Sequence, residues 1–319
     1  MAEDILTDKI VVSIVIPLYN EEESILPLWR SIRGACEPLG NRYEVIFVDD
    51  GSLDETFDML KRMNKEDAKV KVIRFSRNFG QTAAMAAGFE HASGEVIVSM
   101  DGDLQNDPGD IPNLLSEIEG GFDVVCGWRK NRQDKFWTRR LPSLVANWII
   151  GRVTGVKIHD NGCSLKAYRA SVIKSVALYG EMHRFIPAMT TLAGATITEI
   201  VVNHHPRRFG KSKYGLGRIW RVVLDIVTVK LVTGSASRPG LWFGLPSFSV
   251  FGLGLLAFFI AAEMYSAQLP FEWLVLSTVG ILFFLLSLHL LSMGMIGELC
   301  MRTGNYLPEK FLRPTIRTL

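Results

Sequence analysis

The first 128 residues alternate between short apolar runs and amphipathic stretches. The apolar runs, which predict buried strands by their β-branched content, fall at 10–19, 43–52, 69–76, 95–101 and 123–128. The stretches with helical spacing fall at 21–36, 54–65 and 80–92. Regular alternation of strand and helix predicts an α/β fold with a mostly parallel sheet. Ligands of such sheets bind beyond the carboxyl ends of the strands.

The C-terminal third follows a different pattern. Residues 241–262 carry no charged side chain, and residues 273–296 carry none, with His289 as the only titratable group. Each run is long enough to cross a hydrocarbon core of about 30 Å. We therefore predict two transmembrane helices; a pair of buried core helices is the less favoured alternative. Residues 216–235 combine basic and apolar positions, which fits an interfacial helix lying on the membrane or an ordinary amphipathic helix of a domain.

Lysine and arginine predict the orientation of these spans. Basic residues precede the first span and follow the second, whereas the loop at 263–272 has none. The positive-inside rule then puts both chain ends in the cytoplasm. The polar start of the chain has no basic and apolar pattern typical of a signal peptide. The expected organisation is an α/β domain at 1–215, the interfacial helix, the two spans and a cytoplasmic tail at 297–319.

Net charge, hydropathy and cysteine spacing limit which kinds of partner and site the sequence supports. The formal net charge of +2 gives no reason to expect nucleic acid as a partner. The mean hydropathy of +0.19 is high for a soluble protein because of the C-terminal third. The four cysteines are far apart and form no C-x-x-C pair, so a disulfide framework or zinc site is disfavoured.

Acidic clusters follow two of the predicted strands. The sequence "DGDLQ" at 101–105 places Asp101, Asp103 and Gln105 directly after an apolar run. Carboxylate and amide oxygens favour Mg²⁺ or Mn²⁺ over zinc, although acidic turns without function are common. The sequence "VDDGS" at 48–52 is a second cluster, which could accept hydrogen bonds from a nucleotide or form a helix cap with a glycine turn.

Two common nucleotide-binding motifs are excluded. The first strand is followed by "PLYNEEES" and not by G-x-G-x-x-G, which disfavours a dinucleotide-binding fold. The sequence "FGKS" at 209–212 resembles the end of a P-loop, but His205 stands where the first glycine is required.

Five motifs in order carry a more specific resemblance. They are "VSIVIPLYNEEESI", "EVIFVDDGSLDET", "RNFGQTAAMAAGF", "DGDLQNDP" and "RRFGKSKYG". Together they resemble family 2 glycosyltransferases of the GT-A fold. More narrowly, they are similar to polyprenyl-phosphate glycosyltransferases, the group of dolichol-phosphate mannose synthases and bactoprenol glucosyltransferases. The resemblance covers about residues 10–235, and the two C-terminal spans suit the bacterial members.

The resemblance implies roles for individual residues. The nucleotide base and its surroundings would be contacted by Pro17, Tyr19, Glu21 and Asp49. Asp101 would lie near the ribose and sugar, and Asp103 and Gln105 would bind the metal ion, Mg²⁺ or Mn²⁺. Arg208 and Lys213 would contact the diphosphate, with Arg207 as the alternative to Arg208.

The acceptor phosphate is expected near residues 127–143. The positions that best match the family's acceptor site are Arg129, Arg139 and Ser143. Trp128 departs from the family pattern, in which a small residue is common. A solvated basic surface is the alternative interpretation of this segment.

The function implied is the inverting transfer of a sugar from a nucleotide diphosphate sugar to a membrane polyprenyl phosphate. UDP-glucose is the expected donor, and GDP-mannose is the alternative. The reaction is expected at the cytoplasmic face of the inner membrane, and homo-oligomerisation is left open. A processive polysaccharide synthase is disfavoured because Q-x-x-R-W is absent. A membrane protein that binds nucleotide without turnover is the non-enzymatic alternative.

Overall fold

The structure is a computed structural model of the 319-residue chain. The structure describes residues 10–130, 147, 150–152, 155–156, 158–176, 178, 180, 182–192, 194–209, 239–268, 271–303 and 316–318. The expected interfacial helix at 216–235 lies outside the described residues, as do Arg139, Ser143 and Lys213. The described residues divide into two compact units, one within residues 1–229 and 308–319 and the other within residues 230–307.

The first unit is built on an eight-stranded sheet with the order β7-β5-β6-β4-β1-β2-β3-β8. Its strands are β1 (Val12–Leu18), β2 (Tyr43–Asp49), β3 (Val70–Phe75), β4 (Val96–Ser99), β5 (Val124–Trp128), β6 (Lys166–Arg169), β7 (Ile197–Val201) and β8 (Ile316–Thr318). Only β6 and β8 run antiparallel to their neighbours. The mostly parallel α/β sheet predicted from the sequence is therefore confirmed.

Helices cover both faces of this sheet. One face packs against α1 (Glu22–Cys36), α2 (Thr56–Glu66) and α4 (Ile111–Glu119). The other face packs against α3 (Gln81–His91), α5 (Ala170–Ile173) and α6 (Ile186–Leu192). Burial on both faces explains why β1 and β2 are almost continuously apolar and lack the alternation of a half-exposed strand.

The order of the strands creates the crevice that positions a ligand. The chain runs from β1 outward to β2 and β3, and then returns to the other side of β1 with β4. Such a reversal is a topological switch point, where α/β proteins bind ligands at the carboxyl ends of the strands. The first residue of the antiparallel β6, Lys166, pairs with Ser99 of β4 and with Cys126 of β5. Lys166 therefore lies at this same edge of the sheet.

The second unit contains two long apolar helices, α7 (Pro239–Ser266) and α8 (Glu272–Thr303). Both are long and apolar enough to cross a membrane, by length and composition. They pack through small residues: Ser247 and Ser287 exchange hydrogen bonds, and a Cβ added to Gly280 would lie 2.8 Å from the ring of Phe258. Small residues of this kind allow close approach of helices in membranes. Two apolar C-terminal helices are thus present where the sequence predicts them.

Candidate active site

The segment at 101–110, which we call the acidic loop, follows β4 and packs closely against the end of β1. A Cβ added to Gly102 would lie 2.1 Å from Cδ2 of Leu18, so a larger residue at this position would require the buried Leu18 side chain to move. Leu104 has a φ of 62°, a left-handed conformation that is uncommon for a leucine. This strained turn orients the carboxylates of Asp101 and Asp103 on either side of Gly102.

The two carboxylates have different partners. Asp101 Oδ1 accepts a hydrogen bond of 2.7 Å from Nε2 of Gln81, at the start of α3. Burial, and then the neighbouring charge of Asp103, raises the pKa of Asp101 above its ordinary value. Asp103 Oδ1 accepts from the backbone N–H of Gln105, and its Oδ2 accepts from Nη2 of Arg207 at 2.6 Å. Asp103 is only 7% exposed, so this ion pair is largely shielded from water.

Residues 203–207, which we call the clasp, are distant in sequence from the acidic loop but are hydrogen-bonded to it. Asn203 donates from its backbone and its side chain to the carboxylate of Asp110, at 2.7 and 3.0 Å. His205 Nε2 lies 3.0 Å from Oδ2 of Asp107. Although partial burial acts in the opposite direction, hydrogen bonds that include the one with His205 lower the pKa of Asp107. These anchors fix the clasp that carries Arg207.

The predicted base-binding residues come together at the ends of β1 and β2. Asp49 pairs in register with Leu18, and Asp49 Oδ1 accepts from the backbone of Ser52. The backbone of Asn20 donates to the hydroxyl of Ser52, and the backbone of Glu21 donates to Thr56. These bonds tie the loop after β1, which carries Tyr19 and Glu21, to the segment after β2; Pro17 lies near the end of β1, and Asp49 is the last residue of β2. Their role in binding a nucleotide stays a prediction.

Arg207 connects the loop at 19–21, which follows β1 and which we call the base-side loop, to the acidic loop. Its Nη1 lies 3.8 Å from Oε1 of Glu21, while its Nη2 binds Asp103. Arg208, the neighbour that the sequence favoured for the diphosphate, is exposed. Arg207 therefore places its positive charge between two groups of predicted donor-binding residues.

A further loop positions Gln81. The carboxylate of Asp50 accepts hydrogen bonds from the Asn78 side chain and from the backbone of Phe79 and Gly80. Burial raises the pKa of Asp50. This network fixes the residues immediately before α3, so that Gln81 faces Asp101.

Arg129, predicted to bind the acceptor phosphate, is held by a carboxylate that the sequence analysis missed. Its Nε and Nη2 donate to the two oxygens of Asp160, at 2.7 and 3.0 Å. Although burial opposes the charged form of Arg129, these bonds raise its pKa above the ordinary value. Next to this pair, the rings of Trp128 and His159 stack with centroids 4.3 Å apart, and His159 binds Glu199.

The chemistry of the acidic loop fits a divalent cation. Asp101 and Asp103 offer hard oxygen ligands, and a nearby cation would favour the charged form of Asp101, whose pKa is raised by burial and then by the charge of Asp103. Among the described residues, no three His, Cys, Asp or Glu side chains are grouped closely enough to hold a metal ion. A cation here would need oxygens from a substrate or water, which is how Mg²⁺ commonly binds together with phosphates.

The structure thus brings together part of the predicted site. Asp101, Asp103, Gln105 and Arg129 lie at the carboxyl edge of the sheet, whereas the expected partners Arg139, Ser143 and Lys213 lie outside the described residues. Sequence reasoning missed Gln81, Asp160 and Lys166. Of these, Lys166 had a usable signal, because a lysine in the apolar stretch "CSLKAY" is rarely buried without a partner.

Comparison with known proteins identifies relatives that cover most of the chain. A dodecaprenyl-phosphate galacturonate synthase of Rhizobium johnstonii is 44% identical over 304 residues, which cover 91% of this chain and 88% of the relative. An undecaprenyl-phosphate 4-deoxy-4-formamido-L-arabinose transferase of Pseudomonas syringae is 37% identical over 293 residues, covering 90% and 84%.

Solved structures and a family model complete the comparison. The glucosyl-3-phosphoglycerate synthase from Mycobacterium tuberculosis, solved in complex with Mn²⁺ and UDP-glucose, superposes with a TM-score of 0.54. It is 18% identical and covers 70% of this chain and 78% of its own, so the likeness shows a shared fold, the GT-A fold expected from the sequence. The family model described as "Glycosyl transferase family 2" matches residues 13–177. The chain belongs to glycosyl transferase family 2.

Proposed function

We propose that this protein transfers a sugar from a nucleotide diphosphate sugar to the phosphate of a membrane polyprenyl phosphate. The observation that carries the proposal is the acidic loop with Asp103 bound to Arg207, at the switch point of a sheet in a chain that also has two apolar helices. The names of the relatives at 44% and 37% identity, which include dodecaprenyl and undecaprenyl phosphate, support the lipid acceptor.

The reaction itself makes modest demands on the protein. A phosphate monoester has a second pKa near 6, so an acceptor of this type is largely dianionic at neutral pH, and no catalytic base is required. One of its oxygens attacks the anomeric carbon as the bond from that carbon to the nucleoside diphosphate breaks. In-line attack inverts the configuration. The main task is to hold two anions against each other in the correct orientation.

Different residues of this chain would hold the donor, the acceptor and the metal ion. Tyr19 and Glu21, in the loop after β1, and Asp49, at the end of β2, would hold the nucleotide, and Asp101 would orient the sugar. Arg129 would bind the acceptor phosphate, with its guanidinium oriented by Asp160. Mg²⁺ or Mn²⁺, bound by Asp103 and Gln105, would stabilise the charge that develops on the leaving diphosphate.

The sugar proposed here differs from the sequence-based expectation. The resemblance favoured glucose, whereas the relatives above are named for galacturonate and 4-deoxy-4-formamido-L-arabinose. We place galacturonate first, because the relative named for it is 44% identical. Glucose and mannose stay as alternatives, which the donor panel described next would test.

A donor panel tests the proposed function. Purified protein is incubated with undecaprenyl phosphate and, in turn, UDP-galacturonate, UDP-glucose and GDP-mannose, and the lipid product is detected by mass spectrometry. We expect one donor to give a polyprenyl-phosphate-linked sugar. Nucleotide binding with no lipid product from any donor would favour the non-enzymatic alternative.

The course of the chain supports the proposed topology. Strand β8, which follows α8 in the chain, pairs with β3, which precedes α7, so parts of the chain on both sides of the two apolar helices belong to the same sheet. Two crossings of the membrane return the chain to the side from which it started. Together with the basic residues that flank the helices, this supports a cytoplasmic sheet in an inner-membrane protein.

Accessibility labelling tests this topology. A cysteine at Gln268, between α7 and α8, is expected to react with an impermeant maleimide from the non-cytoplasmic side of intact cells. Cysteines at Ser52 and Thr318 are expected to react only after the membrane is opened. A Gln268 label that is reached only from the cytoplasm would contradict the orientation. Each variant is made in a chain without its native cysteines, since Cys300 is exposed.

Arg129→Lys tests the acceptor role of Arg129. Lysine keeps the charge but loses the planar fork, so we expect the KM for polyprenyl phosphate to rise by about tenfold or more. Nucleotide affinity, measured by calorimetry without lipid, is expected to stay within about twofold. The double variant Arg129→Met with Asp160→Asn removes both charges of the pair. It therefore controls for the cost of a buried carboxylate that has lost its partner. Loss of nucleotide affinity with a normal lipid response would assign Arg129 to the donor side.

A further inference from the structure

Two buried side chains near Asp101 and Arg129 offer hydrogen-bond donors that the proposed mechanism does not use. Lys166, the first residue of β6, is 2% exposed, and Asn161 is 3% exposed. Lys166 Nζ donates to the backbone oxygen of Asn161 at 3.0 Å. Both residues therefore belong to one buried cluster beside the carboxyl ends of β4 and β5.

The cluster has more donors than acceptors. A lysine ammonium carries three N–H groups, and the hydrogen bond to Asn161 uses one. The amide Nδ2 of Asn161 is buried and has no hydrogen-bond partner among the described residues. Since a buried donor without a partner is unfavourable, an arrangement of this kind is stabilised by an acceptor that is supplied from outside.

The surrounding charges show which kind of acceptor fits. Arg129 is neutralised by Asp160, and Arg207 is neutralised by Asp103. Lys166 has no ion pair within hydrogen-bonding distance among the described residues, although its charge stabilises the carboxylate form of Asp101. A buried ammonium next to an unsatisfied amide N–H fits an anion with several oxygens.

We propose that Lys166 and Asn161 form a binding site for an oxyanion of the substrates, beside Arg129. The proposal rests on the proposed function, which supplies two such groups: the phosphate of the acceptor lipid and the carboxylate of a transferred uronic acid. Either group would accept hydrogen bonds from Lys166 Nζ and Asn161 Nδ2. The site would thereby select a charged ligand over its neutral counterpart.

Lys166→Met tests this site, because methionine approximates the length of the lysine stem without its charge. The matched control is Lys174→Met, since Lys174 Nζ also donates to one backbone oxygen, that of Ala92 at 2.6 Å. Two ligand pairs are titrated separately by calorimetry. One pair is a short-chain prenyl phosphate and the corresponding prenyl alcohol; the other is UDP-galacturonate and UDP-galactose.

We expect Lys166→Met to weaken the binding of one charged ligand by about tenfold or more. The affinity of the same variant for the neutral member of that pair is expected to stay unchanged, as are all affinities of the Lys174→Met control. Selective loss of prenyl phosphate identifies the bound group as the acceptor phosphate, and selective loss of UDP-galacturonate identifies it as the sugar carboxylate. Unchanged affinity for both charged ligands, or equal loss for charged and neutral ligands, would overturn the proposal.

A second variant protects the test against misfolding. Asn161→Asp keeps the shape of the side chain, removes a donor and adds a negative charge, so the same selective loss is expected. Both variants are checked by circular dichroism and thermal unfolding before titration. Because ligand binding is measured without turnover, a wild-type protein that binds prenyl phosphate but makes no lipid-linked sugar would contradict the proposed function alone.

Discussion

Replacing Asp103 with asparagine is expected to reduce sugar transfer at least about 100-fold while the fold persists. A cation at a developing phosphate charge contributes several kcal/mol of stabilisation, and each 1.36 kcal/mol corresponds to about tenfold in rate. The substitution removes the carboxylate charge that would attract the cation. It also removes the charge partner of Arg207. Initial rates at saturating donor and acceptor measure the effect.

Two controls accompany this prediction. Asp58→Asn removes an exposed carboxylate of α2 and is expected to leave the rate unchanged. Excess EDTA is expected to abolish transfer by the unmodified protein, and added Mg²⁺ or Mn²⁺ to restore it. Full activity in EDTA, or in the Asp103→Asn variant, would show that this loop does not bind a required metal ion.

Arg207→Ala is expected to have the second largest effect. The guanidinium lies between Glu21 and Asp103, where a bound nucleotide diphosphate would pass from the base-side loop to the acidic loop. Hydrogen bonds to charged groups contribute about 1.5–3 kcal/mol each, so kcat/KM for the donor is expected to fall by about 10- to 150-fold. Steady-state kinetics with varied donor and constant acceptor provide the measurement.

Arg208→Ala is the matched comparison, since Arg208 is the exposed neighbour on the same segment. We expect it to change donor kcat/KM by less than about threefold, a small effect of the kind seen for exposed charges. If Arg208→Ala proves more damaging than Arg207→Ala, the residue favoured by the family resemblance is the diphosphate contact, and the ion pair with Asp103 has a structural role.

Much of the fold was predictable because its signals are local. Apolar runs of β-branched residues located β1 to β5, and helical spacing located α1 to α3. The two apolar helices followed from uninterrupted stretches without charge. In contrast, β6, β7 and β8 each contain a charged residue, such as Lys166, Glu199 and Arg317, so no uninterrupted apolar run marks them. Their partner strands also lie far away in the sequence.

In the candidate site, too, only the features with a local sequence signal were predictable. Asp101 and Asp103 were predictable because they end an apolar run. The pairing of Arg129 with Asp160 spans 31 positions, and that of Arg207 with Asp103 spans 104. Neither pairing has a local signal, and the sequence could not choose between Arg207 and Arg208. Only the clasp, anchored by Asn203 and His205, determines which of the two arginines faces the acidic loop.

The most direct test of the central proposal follows both products of one reaction. Purified protein in lipid nanodiscs is incubated with undecaprenyl phosphate and the preferred nucleotide sugar, and mass spectrometry quantifies lipid and nucleotide together. The proposed transfer predicts a lipid heavier by one sugar residue, with one nucleoside diphosphate released per lipid. Release of a nucleoside monophosphate with a lipid diphosphate sugar, or nucleotide release with unchanged lipid, would contradict it.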